Sequence, residues 1–185
     1  MKNLLRRILV VAVMLGTYTG YANEKMEVKS ISNNVTKGNY ISVTDASGEV
    51  IYSGRINHSG NLTSLFDFTQ LKNGIYTIEV NKDFVIEVKS IQVKDNIVTF
   101  LNTSDEKIFK PVFRAEDSKV LISKLALGSN EMTVELYYEN ELIHAETVKG
   151  KDVLNRVYKL DNTLRGDYRA IIRSNERVFI ENFSI

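Results

Sequence analysis

Leu71-Lys-Asn-Gly-Ile-Tyr-Thr-Ile-Glu-Val80 decides how this chain of 185 residues folds. A looser echo follows as Leu164-Arg-Gly-Asp-Tyr-Arg-Ala-Ile-Ile172. Each reads as a leucine, a glycine turn, a tyrosine two residues on, and then an alternating strand. The spacing predicts Tyr76, Ile78 and Val80 on one sheet face and Ile75, Thr77 and Glu79 on the other, as a half-buried strand requires. Gly74 and Gly166 are expected to supply the positive φ of a tight turn, which other residues adopt only at a cost. Tyr76 and Tyr168 stand where a tyrosine can pin a loop between two sheets, through ring packing and a hydroxyl hydrogen bond.

Outward from this stretch, residues 25–185 read as short alternating segments between turn signals, with no helical periodicity. Strands are expected at 26–31, 40–44, 50–56, 62–68, 84–93 and 97–101, and again at 109–113, 120–127, 132–138, 142–148, 153–160, 168–172 and 177–185. Asp45-Ala-Ser-Gly48 and Asp95-Asn96 turn hairpins. The polar run at residues 102–107 is expected to connect two halves.

A displacement of 92 residues places Ile51 on Ile143, Phe68 on Leu160, Gly74 on Gly166, Tyr76 on Tyr168 and Ile91 on Phe183. Inward parity is expected to switch from Ile86 and Val88 to Ile91 and Val93, and at the matching place from Val178 and Ile180 to Phe183 and Ile185. An odd step of this kind predicts a β-bulge. Two modules follow, at residues 24–102 and 103–185. A module of this size buries about 60% of its unfolded surface and is marginal alone, so the two are expected to pack end to end.

The first 22 residues carry Lys2, Arg6 and Arg7, then an apolar run from Ile8 to Leu15, then Gly20 and Ala22 at small-residue positions. This is the pattern of a secretory signal peptide over residues 1–22. The run is shorter than the roughly 20 residues a bilayer requires, so no transmembrane anchor is expected after cleavage. Losing three basic and no acidic residues takes the net charge from +1 to −2. That leaves no cationic excess for a phosphate backbone, and nucleic-acid binding is not expected. Cysteine is absent, which excludes disulfides, thiol nucleophiles and thiolate metal sites.

The sequence Val43-Thr-Asp45-Ala-Ser-Gly48-Glu-Val50, followed by Phe66-Asp-Phe68 and Leu71-Lys-Asn-Gly74-Ile-Tyr76, resembles the β-sandwich modules of secreted Bacteroidota proteins. Among these are the C-terminal sorting domains of type IX secretion. As a whole the chain is similar to small exported flavobacterial proteins with paired modules. The resemblance implies a bacterial source, a sandwich fold and export.

No nucleophile elbow, zinc-protease, phosphate-loop, dinucleotide or calcium-loop motif occurs. His58 is expected in a turn and His144 in a strand, without convergent partners for a metal or a triad. The acidic pairs Asp105-Glu106, Glu116-Asp117 and Glu139 with Glu141 read as solvated turn charges. Arg165-Gly166-Asp167 spells an adhesion tripeptide, but the turn role of Gly166 already accounts for it. Tyr137, Tyr138 and Tyr158 are candidate aromatic contacts.

These readings converge on an all-β fold of two tandem immunoglobulin-like antiparallel β-sandwich modules after a signal peptide. No enzyme activity, cofactor or metal is expected. The expected function is an exported binding or structural module, periplasmic, contacting a protein partner through loops or an exposed sheet edge. The alternative is a cell-surface adhesin or sorting module delivered by type IX secretion.

Overall fold

The structure, a computed structural model, describes residues 34–185. The leader at residues 1–22 and the strand expected at 26–31 lie outside the described residues. Within them the chain is an all-β protein. Its first half runs β1 (Asn34–Val35), β2 (Tyr40–Asp45), β3 (Val50–Arg55), β4 (Gly60–Asn61), β5 (Gly74–Asn81), β6 (Val85–Lys94) and β7 (Ile97–Phe109). Strands β3-β2-β5-β6-β7 form one antiparallel sheet in that order, and β1 pairs with β4 in a short ribbon. The second half runs β8 (Val112–Glu116), β9 (Lys119–Leu125), β10 (Glu131–Tyr138), β11 (Glu141–Lys149), β12 (Val153–Lys159), β13 (Asp167–Ser174) and β14 (Arg177–Ser184). It forms two sheets, β11-β10-β13-β14 and β12-β9-β8.

Period-two alternation builds both cores. On β5, Tyr76, Ile78 and Val80 are buried, and they face Val35, Ile56, Leu62 and Phe68. On β13, Tyr168, Ala170 and Ile172 are buried with Met132, Val134 and Leu136 of β10, against Val120, Ile122 and Leu154 of the facing sheet. The buried apolar residues of these two clusters do not mix.

The pairing registers of the two halves superimpose. Tyr76 lies opposite Ile91 across β5 and β6, and Tyr168 lies opposite Phe183 across β13 and β14. The register of β2 with β3 slips between Val43 and Thr44, and that of β10 with β11 slips between Leu136 and Tyr137. The first hairpin differs in its turn. Asp45 Oδ1 holds the amides of Ser47 and Glu49 at 2.8 and 3.0 Å around Gly48, whose φ is +90°. The second half turns more tightly, through the two residues Glu139 and Asn140 at φ +46° and +69°. Both central residues being left-handed, this turn matches the twist of a two-residue hairpin.

Four expectations are corrected. Residues 62–68 are not a strand: Leu62–Leu65 form one helical turn, α1, and Phe68–Gln70 a 3-10 turn. Asn61 and Asp67 cap these turns through their side-chain oxygens, which favours local helix over a ladder. Residues 102–107 lie inside β7, so this polar run does not end the first sheet, and the β6–β7 register slips beside it. The strand expected at 109–113 is broken instead at Lys110 and Pro111, where proline removes a ladder donor. The parity switch is corrected in part: the β6–β7 register does slip between Val88 and Ser90, but the β5–β6 and β13–β14 registers run unbroken, so no bulge turns the strand face there in either half. Ile86 and Val88, like Val178 and Ile180, simply face the outer side of their sheets. The first of these faces is covered and the second is bare: Ile86 is 7% exposed, Val178 and Ile180 are 52% and 55% exposed.

Candidate functional site

The two corners are built alike. Tyr76 Oη donates to the Lys72 carbonyl at 2.9 Å, and Tyr168 Oη donates to the Leu164 carbonyl at 2.9 Å, each four residues upstream. Before each corner an aspartate caps a turn. Asp67 Oδ1 accepts from the Thr69 hydroxyl and amide, and Asp161 Oδ1 from those of Thr163. The threonine hydroxyl, then its amide, hold both carboxyls below the usual range. Tyr76→Phe and Tyr168→Phe are each expected to lose about 0.5–1.5 kcal/mol in chemical denaturation. The double variant should lose the sum to within about 0.5 kcal/mol, because the two bonds share no partner.

The two glycines are not alike, which corrects the expectation for Gly74. Its φ is not positive, and an added Cβ would sit in ordinary contact with the Tyr76 ring at 3.5 Å. Gly166 has φ +153°, and a Cβ there would meet Glu139 Oε1 at 2.5 Å and the Tyr138 ring at 3.1 Å. Gly166→Ala is therefore expected to destabilise by about 1–3 kcal/mol. Gly74→Ala should be neutral or stabilising by up to about 1 kcal/mol. Thermal melts of the pair check the contrast.

Around Gly166 the second sandwich closes with a polar junction. Gly166 exchanges backbone hydrogen bonds with Ile185, the Glu139 amide donates to the Asp167 carbonyl at 3.0 Å, and Tyr138 Oη donates to the Arg165 carbonyl at 3.1 Å. Asp167 Oδ1 accepts from Ser184 Oγ at 2.9 Å. Arg169 spans Asn182 and Asn140 at 3.3 and 3.0 Å. These groups line an open cleft of about 430 Å³ that carries both charge signs. In the Arg165-Gly166-Asp167 tripeptide, Arg165 and Asp167 are exposed, but Asp167 opens β13 and its carboxylate is engaged.

The other sequence candidates do not converge. His144 packs its ring on Tyr158 at 5.2 Å, while residue 58 lies in the other half. Tyr158 Oη donates to Glu146 at 2.7 Å, and burial with this bond pushes its ionisation above the ordinary range. Tyr137 Oη donates to Glu135 on the outer face of its sheet, and Tyr138 packs on Tyr168. The three tyrosines thus occupy three different places. Among the described residues, no three His, Asp or Glu side chains gather as a metal would need.

Three features escape a reading of local sequence. Arg177 reaches across to Glu79 in a two-pronged ion pair, with Nη1 at 3.1 Å from Oε2 and Nη2 on Oε1. It ties the β13–β14 turn to the outer face of β5, 98 positions away in the chain. The Glu79 carboxylate raises the guanidinium above its ordinary value. Lys124 is 1% exposed. Its Nζ donates to the Leu125 carbonyl at 3.1 Å and to Asn175 Oδ1 at 3.0 Å, both uncharged acceptors, and burial lowers its pKa. Lys124 shares the inward parity of Val120 and Ile122, but parity alone does not say that a facing sheet closes over it. Finally, the outer face of the β12-β9-β8 sheet places exposed Val153 beside Leu125 and exposed Val157 beside Leu121, a bare apolar stripe.

The fold and these surfaces define an all-β sandwich protein whose accessible features are edges and faces. Residues 22–94 match the model of the secretion system C-terminal sorting domain, so the similarity takes in the first sheet through the last residue of β6. No curated protein matches the chain. Among solved structures it is similar to extracellular domains 3–5 of Drosophila OTK, at 9% identity, over 80% of this chain and 86% of that one, with a TM-score of 0.23. Among the described residues no helix is long and apolar enough to cross a membrane.

Proposed function

We propose that this chain is exported and acts without catalysis as a protein-recognition module delivered by type IX secretion. The observation that carries the reading is the sorting-domain match over residues 22–94, which ends where β6 ends. A signal peptide over residues 1–22 starts the route, and the first half serves as the element that the secretion machinery reads. The second half, whose β11-β10-β13-β14 sheet repeats the β3-β2-β5-β6 order of the first, presents edges and an apolar face to a protein partner. The two halves, residues 24–102 and 103–185, derive from duplication of one module, and the source is a member of the Bacteroidota.

The test is protease shaving of intact cells that produce the full chain. Digestion in a secretion-competent strain and protection in a strain lacking the type IX machinery are expected. A protein that stays soluble and protected in both strains would instead be a periplasmic module, the reading that export alone supports. Arg165-Gly166-Asp167 is assigned to the fold: Asp167→Glu is expected to leave cell attachment unaltered.

A further inference from the structure

In the first half, the edge of β6 away from β5 is filled by β7. That strand lies beyond residue 94, where the sorting-domain similarity stops, so it is an addition to the matched unit. Its Phe100 lies opposite Ile91 and its Val98 opposite Val93, and both pack onto the first core. In the second half, β14 occupies the place of β6, with the same register to its inner neighbour. Among the described residues its outer edge has no strand.

The bare edge is only lightly protected. β14 holds no proline, no lysine and no register slip over eight paired residues, and of the usual devices that keep an edge from pairing it carries only the charges of Arg177 and Glu181. Phe183 and Ile185, the counterparts of Ile91 and Val93, pack on the second core but are only half-buried. Glu181 lies on the same face of the strand, exposed, two residues before Phe183. In the first half the corresponding position is Lys89, and there the β6–β7 register slips between Val88 and Ser90.

We propose that β14 is a strand-addition site for an extended protein segment, laid antiparallel, with a β-branched residue opposite Ile185, an aromatic opposite Phe183 and a cation near Glu181. Read in its own direction, the segment has a valine or isoleucine, then an aromatic two residues on, then lysine or arginine two further on. β7 itself supplies the first two, as Val98 and Phe100. Main-chain hydrogen bonds give the affinity and the alternate side chains the selectivity. This inference rests on the reading of the chain as a protein-binding module and names the surface and the chemistry of the partner.

The probe is a fluorescent synthetic peptide of residues 94–103 with lysine in place of Asn102, titrated by anisotropy against the chain from residue 23 onward. Binding is expected at least about tenfold tighter than to a scrambled peptide. Glu181→Lys, an exposed change, should weaken it about tenfold, and a peptide with aspartate at position 102 should restore it. Equal binding of the scrambled peptide, or indifference to Glu181→Lys, overturns the proposal. So does a dimer in sedimentation that Ile180→Lys dissolves, because a second copy would then own the edge. None of these results depends on where the cell delivers the protein, so this inference and the export reading fail separately.

Discussion

Ile172→Ala is expected to lower the unfolding free energy by about 2–5 kcal/mol. Ile172 is fully buried on β13, within the cluster formed by both sheets of the second half. Truncation removes its apolar contacts and leaves a cavity that the ladder of β10, β13 and β14 is too stiff to collapse. Because the two clusters share no buried residue, the loss of protection in hydrogen exchange is expected first in β9 to β14. Ile78→Ala, equally buried on β5, should produce the mirror result in β2 to β6. If either variant loosens all the strands to the same degree, the two clusters act as one core and the division into two modules fails. The Glu79–Arg177 pair is the described link most exposed to this question. Both side chains are partly solvated, so Arg177→Ala alone should cost no more than about 1 kcal/mol.

The second large effect is a gain. Lys124→Met is expected to raise stability by about 1–4 kcal/mol, while Lys124→Ala lowers it by opening a cavity. Lys124 is enclosed with Val120, Ile122 and Leu154, and its ammonium has only two neutral acceptors among the described residues. Methionine fills a similar volume without a charge to desolvate. Asn175 Oδ1 keeps a contact from Ser174 Oγ at 3.3 Å. The wild-type pH profile provides an independent check. Burial lowers the folded pKa of Lys124 below the ordinary lysine value of 10.5, so the folded state binds fewer protons than the unfolded state between the two values. Stability should therefore rise with pH across that window, with the full cost present below the folded pKa. Lys124→Met should flatten this rise. A slope unchanged in the variant would show that Lys124 does not carry the effect.

The strands were legible where alternation and turn chemistry agreed. The expected strands at 132–138, 142–148, 153–160 and 168–172 fall on β10, β11, β12 and β13 with ends shifted by at most two residues. The segment at 62–68 misled because Phe66 and Phe68 alternate like a strand, while Asn61 and Asp67 offer local caps that alternation does not register. Residues 102–107 misled for the opposite reason. Their polarity suits a connector, yet they lie inside β7, whose pairing with β6 resumes at Glu106 after a register slip between Val88 and Ser90. Gly74 and Gly166 align in sequence, but only Gly166 has a positive φ, and only there would a Cβ run into Glu139 and Tyr138.

By itself the sequence determined the all-β class, the similarity to an exported sorting domain, the inward sets on β5 and β13 and the place of both tyrosines, because strand parity and turn preference are properties of neighbouring residues. Among the described residues, tertiary structure alone decided which outer faces are covered, which strand edges lie open, that Lys124 is sealed in and that Arg177 reaches Glu79. Those outcomes depend on residues that come together only when strands far apart in the chain take their places beside one another, and no local pattern records that meeting.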